Sequence, residues 1–209
     1  GAFYAKKIAV SPEIGTSNWG FSISIASILS FLLFSIILVQ GKTFFGNLKT
    51  NFFRWFFLIL ILSTTSLYFF DESSNEFYPL IVIMLSLICF EVINLFYNLS
   101  LHKVALKHKE GQISNLGWAF GYFGGLCSLA IIFLLLELTK SNDYRLFDVS
   151  VFLLIGPFVA FWTTLFGYSH IKNFKHEKFI IPNIVDFLKA VGESKITPFL
   201  MSYFFFNNA

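Results

Sequence analysis

The residue types able to do chemistry concentrate in one stretch. Glu91 is the single acid inside a long apolar run, and Asn94, Tyr97 and Asn98 follow it closely. Glu91, Asn94 and Asn98 fall at i, i+3 and i+7, which places them on one face of a helix. A charge at the centre of a membrane helix costs about 2.5–3.5 kcal/mol on insertion scales, so such an acid ordinarily meets a polar cavity or a partner. Two readings of this face are open. It lines a solute or proton pathway, or it makes helix–helix hydrogen bonds that hold a bundle together.

A second pattern consists of absent side chains. Gly117, Gly121 and Gly125 recur every four residues, with Gly124 and Ser128 beside them. Such a face lets another helix backbone come close, which is how membrane helices gain contact without a hydrophobic drive. It reads as a packing face, or as a surface that slides during a conformational change. Other chemistry finds no support. His102, His108, His170 and His176 sit in or beside loops, and no cluster of ligands converges at one depth as a metal site requires. Cys89 and Cys127 lie in apolar runs, and the glycines lack the following Lys-Ser/Thr of a phosphate loop. No catalytic residue, metal, cofactor, enzymatic activity or nucleic-acid partner is expected.

The elements that position these residues must live in lipid. Of the 209 residues 56% are hydrophobic, 30 are Phe and only 13% are charged, against about 25% charged in soluble domains. Mean hydropathy is +0.71. A bilayer core of roughly 30 Å takes about 20 helical residues to cross. Five apolar runs suit that length, at 18–39, 52–70, 78–101, 114–138 and 148–170. The second is the shortest, and Arg54 near its start must snorkel to the headgroups. None alternates in the manner of a barrel strand. The expected fold is therefore all-α, a polytopic transmembrane bundle over residues 1–170, with the lipid bilayer as its first partner.

Charge sets the orientation. The loops 41–54 and 102–113, with the stretch after 170, hold eleven of the fifteen basic residues. The positive-inside rule puts these in the cytoplasm, and residues 1–16 and the acidic turn 71–76 outside. Asn98-Leu99-Ser100 then lies on the wrong side for glycosylation. Residues 171–196 read as a cytoplasmic connecting segment with a short amphipathic stripe at Ile184, Phe187, Leu188 and Val191. Residues 197–209 read as the start of a further, truncated membrane helix. No signal peptide precedes the outer loop, so the chain reads as a fragment of a larger membrane protein.

The order Phe90-Glu91, Phe96-Tyr97-Asn98 and then Gly111-Gln112-Ile113-Ser114-Asn115-Leu116-Gly117-Trp118-Ala119-Phe120-Gly121-Tyr122-Phe123-Gly124-Gly125 resembles one branch of the major facilitator superfamily. That branch contains the yeast autophagy-related vacuolar amino-acid effluxer and its bacterial relatives. Weaker similarity at Trp19-Gly20, Phe161-Trp162 and 203–209 spreads over most of the chain. The resemblance implies that the five runs are helices two to six of a twelve-helix secondary transporter, a truncated amino-terminal half that moves a small solute by alternating access. It implies amino acids as the solute and the missing remainder of the same transporter as a partner. The location it implies is the cytoplasmic membrane of a bacterium. Glu91, Asn94, Tyr97 and Asn98 then belong to helix four and to a substrate or proton pathway. The loop 41–54 keeps Gly41 and Gly46 but has no Asp where the family's gating signature carries one. A reading of a different class is a non-transporting scaffold or subunit that binds a partner helix through the glycine face of 114–138.

Overall fold

The computed structural model describes residues 4–5, 9–70, 75–104, 110–146 and 149–173, with the helical residues 38–52, 99–104, 110 and 169–173 described by their backbone. The connecting segment beyond Asn173, the helix start at 197–209 and residues 71–74 of the acidic turn lie outside the described residues. Four long helices make up the described chain: α1 (Pro12–Ser66), α2 (Phe77–Val104), α3 (Glu110–Thr139) and α4 (Val151–Asn173). Single 3-10 turns follow α1 at Leu67–Phe69 and α3 at Lys140–Asn142.

The element boundaries have local causes. Ser11 caps α1 by accepting from the Ile14 amide at 3.3 Å, and Pro12 follows, where a missing N–H costs nothing. At the far end of α1 the Ser66 carbonyl accepts from the Tyr78 hydroxyl at 2.8 Å, which ties the helix end to α2. The Asn75 side chain accepts from the Phe77 amide at 2.9 Å and starts α2. Between α3 and α4, Asp143 and Tyr144 take the left-handed conformation, at φ of 49° and 58°. The tight turn they make leads into β1 (Arg145–Leu146) and β2 (Val149–Ser150), which pair antiparallel. This two-residue ladder is the one departure from an all-α fold among the described residues.

The helical backbone of α1 runs unbroken for 55 residues, about 82 Å if straight. It is not straight. Phe53, Val92 and Phe96 form a buried cluster on which Leu33, Phe34 and Phe56 pack. Tyr4, Phe70 and Leu80 form another, and Trp19 packs on it. A straight helix would hold Leu33 and Phe53 about 30 Å apart, and Trp19 and Phe70 further still. α1 is therefore a helical hairpin. Its first arm runs to Ile37, its second begins at Phe53, and the reversal lies between them. The sequence leads one to expect a loop at 41–54 here, and the backbone is helical instead. That stretch contains no Pro, and a glycine inside a helix costs only about 1 kcal/mol, so helical hydrogen bonding persists into the reversal.

The two arms and α2 enclose the core. The first arm contributes Ser22, Ala26 and Ser30, buried at four-residue spacing; the second contributes Phe53, Leu60 and Ser63. From α2 come Val82, Ser86, Cys89, Val92 and Phe96. Small side chains bring the backbones close enough for the Ser63 and Ser86 hydroxyls to bond at 2.8 Å. Phe53 and Phe96 meet edge to face, with ring centroids 6.2 Å apart. α4 leans on the second arm at Gly156, where a Cβ would stand 2.5 Å from the Thr64 carbonyl oxygen, and at Gly167, which meets the Phe57 ring. α3 is different. None of its membrane window is buried, and it touches α2 and α4 only sparsely.

Among the described residues four helices are long and apolar enough to cross a membrane: Pro12–Ile37, Phe77–Asn98, Gly111–Asn142 and Val151–Tyr168. The second arm adds a shorter apolar helix, Phe53–Phe69, which coincides with the shortest of the five expected runs. The protein is a multi-pass α-helical membrane protein.

Candidate functional site

The core fixes which way α2 faces. Its buried stripe runs through Val82, Ser86, Cys89, Val92 and Phe96, with Cys89 and Val92 almost wholly enclosed at 1% and 0% exposure. At about 100° per residue, Glu91, Asn94 and Asn98 lie roughly 140–180° around the helix from Cys89. The polar face of α2 thus looks away from both arms of α1. Glu91 and Asn94 are half-buried and Asn98 is exposed. Among the described residues none forms a hydrogen bond or ion pair with the Glu91 carboxylate. Within the span Phe77–Asn98, Glu91 stands about 5 Å along the helix from the midpoint.

Tyr97 does not share that face. It lies roughly 80° from Cys89, on the flank turned towards α3, and its hydroxyl would meet a Cβ built on Gly117 at 2.7 Å. Of the four residues expected along a pathway, three are brought together by the fold and the fourth instead spaces α2 from α3. The signal that separates them is the apolar stripe itself. Once Val92 and Phe96 are assigned inward, Tyr97 falls on its edge.

The expected packing glycines divide in the same way. Gly117 meets Tyr97, whereas Cβ atoms built on Gly121, Gly124 and Gly125 would find nothing within 4 Å among the described residues. The close approaches occur elsewhere, at Gly156, at Gly167, and at Gly15 against Ala5 and Ala9. Sequence reasoning also passed over Ser22, Ala26 and Ser30. Their four-residue spacing was readable as a small-residue face, yet serine is less conspicuous there than glycine.

One more unfilled face lies on the first arm, opposite its buried stripe. Thr16, Ser17, Gly20, Ser24 and Ser27 are exposed there, and the outer part forms a shallow groove that also includes Pro12, Glu13 and Phe21. Thr16, Ser24 and Ser27 donate to carbonyls one turn back, at 2.7, 3.0 and 3.0 Å, so each hydroxyl is satisfied in an apolar setting and keeps lone pairs to offer. Beside these, the described residues hold no group of three or more His, Cys, Asp or Glu able to bind a metal.

Comparison with known proteins adds no relative. No protein-family model matches the chain, and no curated protein or solved structure is significantly similar to it.

Proposed function

We propose that the chain is part of a secondary membrane transporter of the major facilitator type, set in the cytoplasmic membrane of a bacterium. It moves a small solute by alternating access. Amino acids are the solute class that the motif resemblance around Glu91 and the glycine stretch points to. One observation carries the reading: an acid near mid-membrane, with two amides on its face, turned away from a well-packed core. Lipid is a poor neighbour for that face, and a water-filled or solute-filled path is a good one. The small hydroxyl face of the first arm and the open glycines of α3 lend further support. Both are surfaces that hydrocarbon chains fill badly and that another helix or water fills well.

Counterflow of labelled amino acids into proteoliposomes holding the full-length protein tests the proposal. Glu91→Gln is expected to lower the initial rate about tenfold or more, a loss of about 1.4 kcal/mol in transition-state terms, with no loss of folded protein. Where Glu91 also carries the coupling proton, the pH dependence of uptake disappears in the same variant. Wild-type pH dependence in Glu91→Gln removes that part of the proposal.

The open glycines also favour a second reading, a scaffold whose α3 binds a helix of another polypeptide. Cysteine placed at Gly121 then cross-links to a different protein rather than to the same chain.

A further inference from the structure

On the reading of α2's polar face as a solute path, we infer that this face holds the solute by a positively charged amine, its ammonium group against the Glu91 carboxylate. Three observations point the same way. First, Glu91 is half-buried, and none of the described residues forms an ion pair or hydrogen bond with it, so among them its carboxyl group is left open to a ligand. Second, the other charged side chains described, Glu13, Arg54, Glu76, Glu137, Lys140, Asp143 and Arg145, lie at or just beyond span ends, and all but the half-buried Glu76 are exposed. A carboxylate or phosphate on this face would meet repulsion from Glu91 and, among the described residues, no cation at its depth. Third, Leu87 and Leu95 stand one turn either side of Glu91 on the same side of the helix. That apolar frame lowers the local dielectric, strengthens an ammonium–carboxylate pair and leaves an unpaired carboxylate more costly. The Asn94 side-chain oxygen, one turn on, can accept a second ammonium hydrogen, and Asn98 offers another acceptor further towards the end of the span. The recognised chemistry is an organic ammonium, whatever the rest of the solute carries.

The test uses the full chain in nanodiscs at constant ionic strength and follows its melting temperature. The probes are the cations L-leucinamide, ethanolamine and spermidine, the uncharged N-acetyl-L-leucinamide and the anion N-acetyl-L-leucine. At least one cation is expected to raise the melting temperature, and the acetylated probes are not. Glu91→Gln is expected to weaken that binding about tenfold or more, the equivalent of about 1.4 kcal/mol, and Glu91→Asp to recover part of it. Equal shifts from the acetylated probes, undiminished cation binding by Glu91→Gln, or no shift from any cation would each overturn the inference. Counterflow of the same probes separates the two proposals. Glu91-dependent binding without flux keeps the amine site and removes transport, whereas flux of a neutral or anionic solute without amine binding does the reverse.

Discussion

Two parts of this molecule carry small-residue faces, and the described residues fill them to very different extents. In the three-helix core, Ser22, Ala26 and Ser30 of the first arm are buried against neighbours, and Ser63 and Ser86 bond across the interface. In α3 the glycines at 117, 121 and 125 repeat at the same four-residue spacing, yet Gly121, Gly124 and Gly125 face open space among the described residues. The contrast shows that a small-residue face in a membrane helix is a permission to pack, not evidence of what packs there. In lipid the gain comes from backbone approach and dispersion, so the face works only where a second surface of matching shape arrives. Among the described residues the core has that second surface, whereas the glycine face of α3 meets one only at Gly117, against Tyr97.

The contrast can be broken most severely at Gly156. A valine there places its Cβ 2.5 Å from the Thr64 carbonyl oxygen, a backbone atom with little room to move. Overpacking of this kind costs about 3 kcal/mol or more, so Gly156→Val should yield little folded protein on size-exclusion chromatography in detergent. A tolerated valine would mean that α4 does not rest on the second arm.

The serines sharpen the contrast with effects of opposite sign. Ser86→Ala leaves the Ser63 hydroxyl without its cross-helix partner and should lower stability by about 0.6–1.7 kcal/mol, the range seen for interhelical hydrogen bonds in membrane proteins. Ser30 is buried, and among the described residues its hydroxyl has no hydrogen-bond partner. Ser30→Ala removes a desolvated polar group and should raise stability by about 1 kcal/mol, visible as a rise of about 2–4 °C in melting temperature. Equal losses from both variants would put the serine layer in the wrong register.

The smallest expected effect is the most telling for α3. Gly121→Ala adds a methyl group where none of the described residues stands within 4 Å and removes a helix-interior glycine worth about 0.5–1 kcal/mol, so the melting temperature should rise by about 1–4 °C. A clear destabilisation would show that another surface already covers this face.

Much of the bundle was legible in the order of the residues. Apolar length places the membrane segments to within a few residues, as at Phe77–Asn98 against an expected 78–101. The spacing of Glu91, Asn94 and Asn98 puts them on one face without any coordinates. Three features were not legible. The helical backbone across 41–54 escaped because glycine and lysine suggest a loop only weakly when no proline enforces one. The contact of Tyr97 with Gly117 was not legible because residue order does not reveal which helix covers the flank of another. Of the α3 glycines that read as a packing face, Gly117 meets Tyr97, and Gly121, Gly124 and Gly125 meet none of the described residues.

The sequence by itself determined that the chain lives in lipid as helices, since a run of apolar residues long enough to cross a bilayer has no other way to satisfy its backbone. It also determined that one carboxylate sits deep within that setting. Only the tertiary structure decided which face of each helix is filled. Val92 and Cys89 turn inward because the doubled-back arms of α1 meet α2 along that line. Glu91 turns outward as a consequence, because a helix that commits one side to close packing has no freedom left in where it points the other.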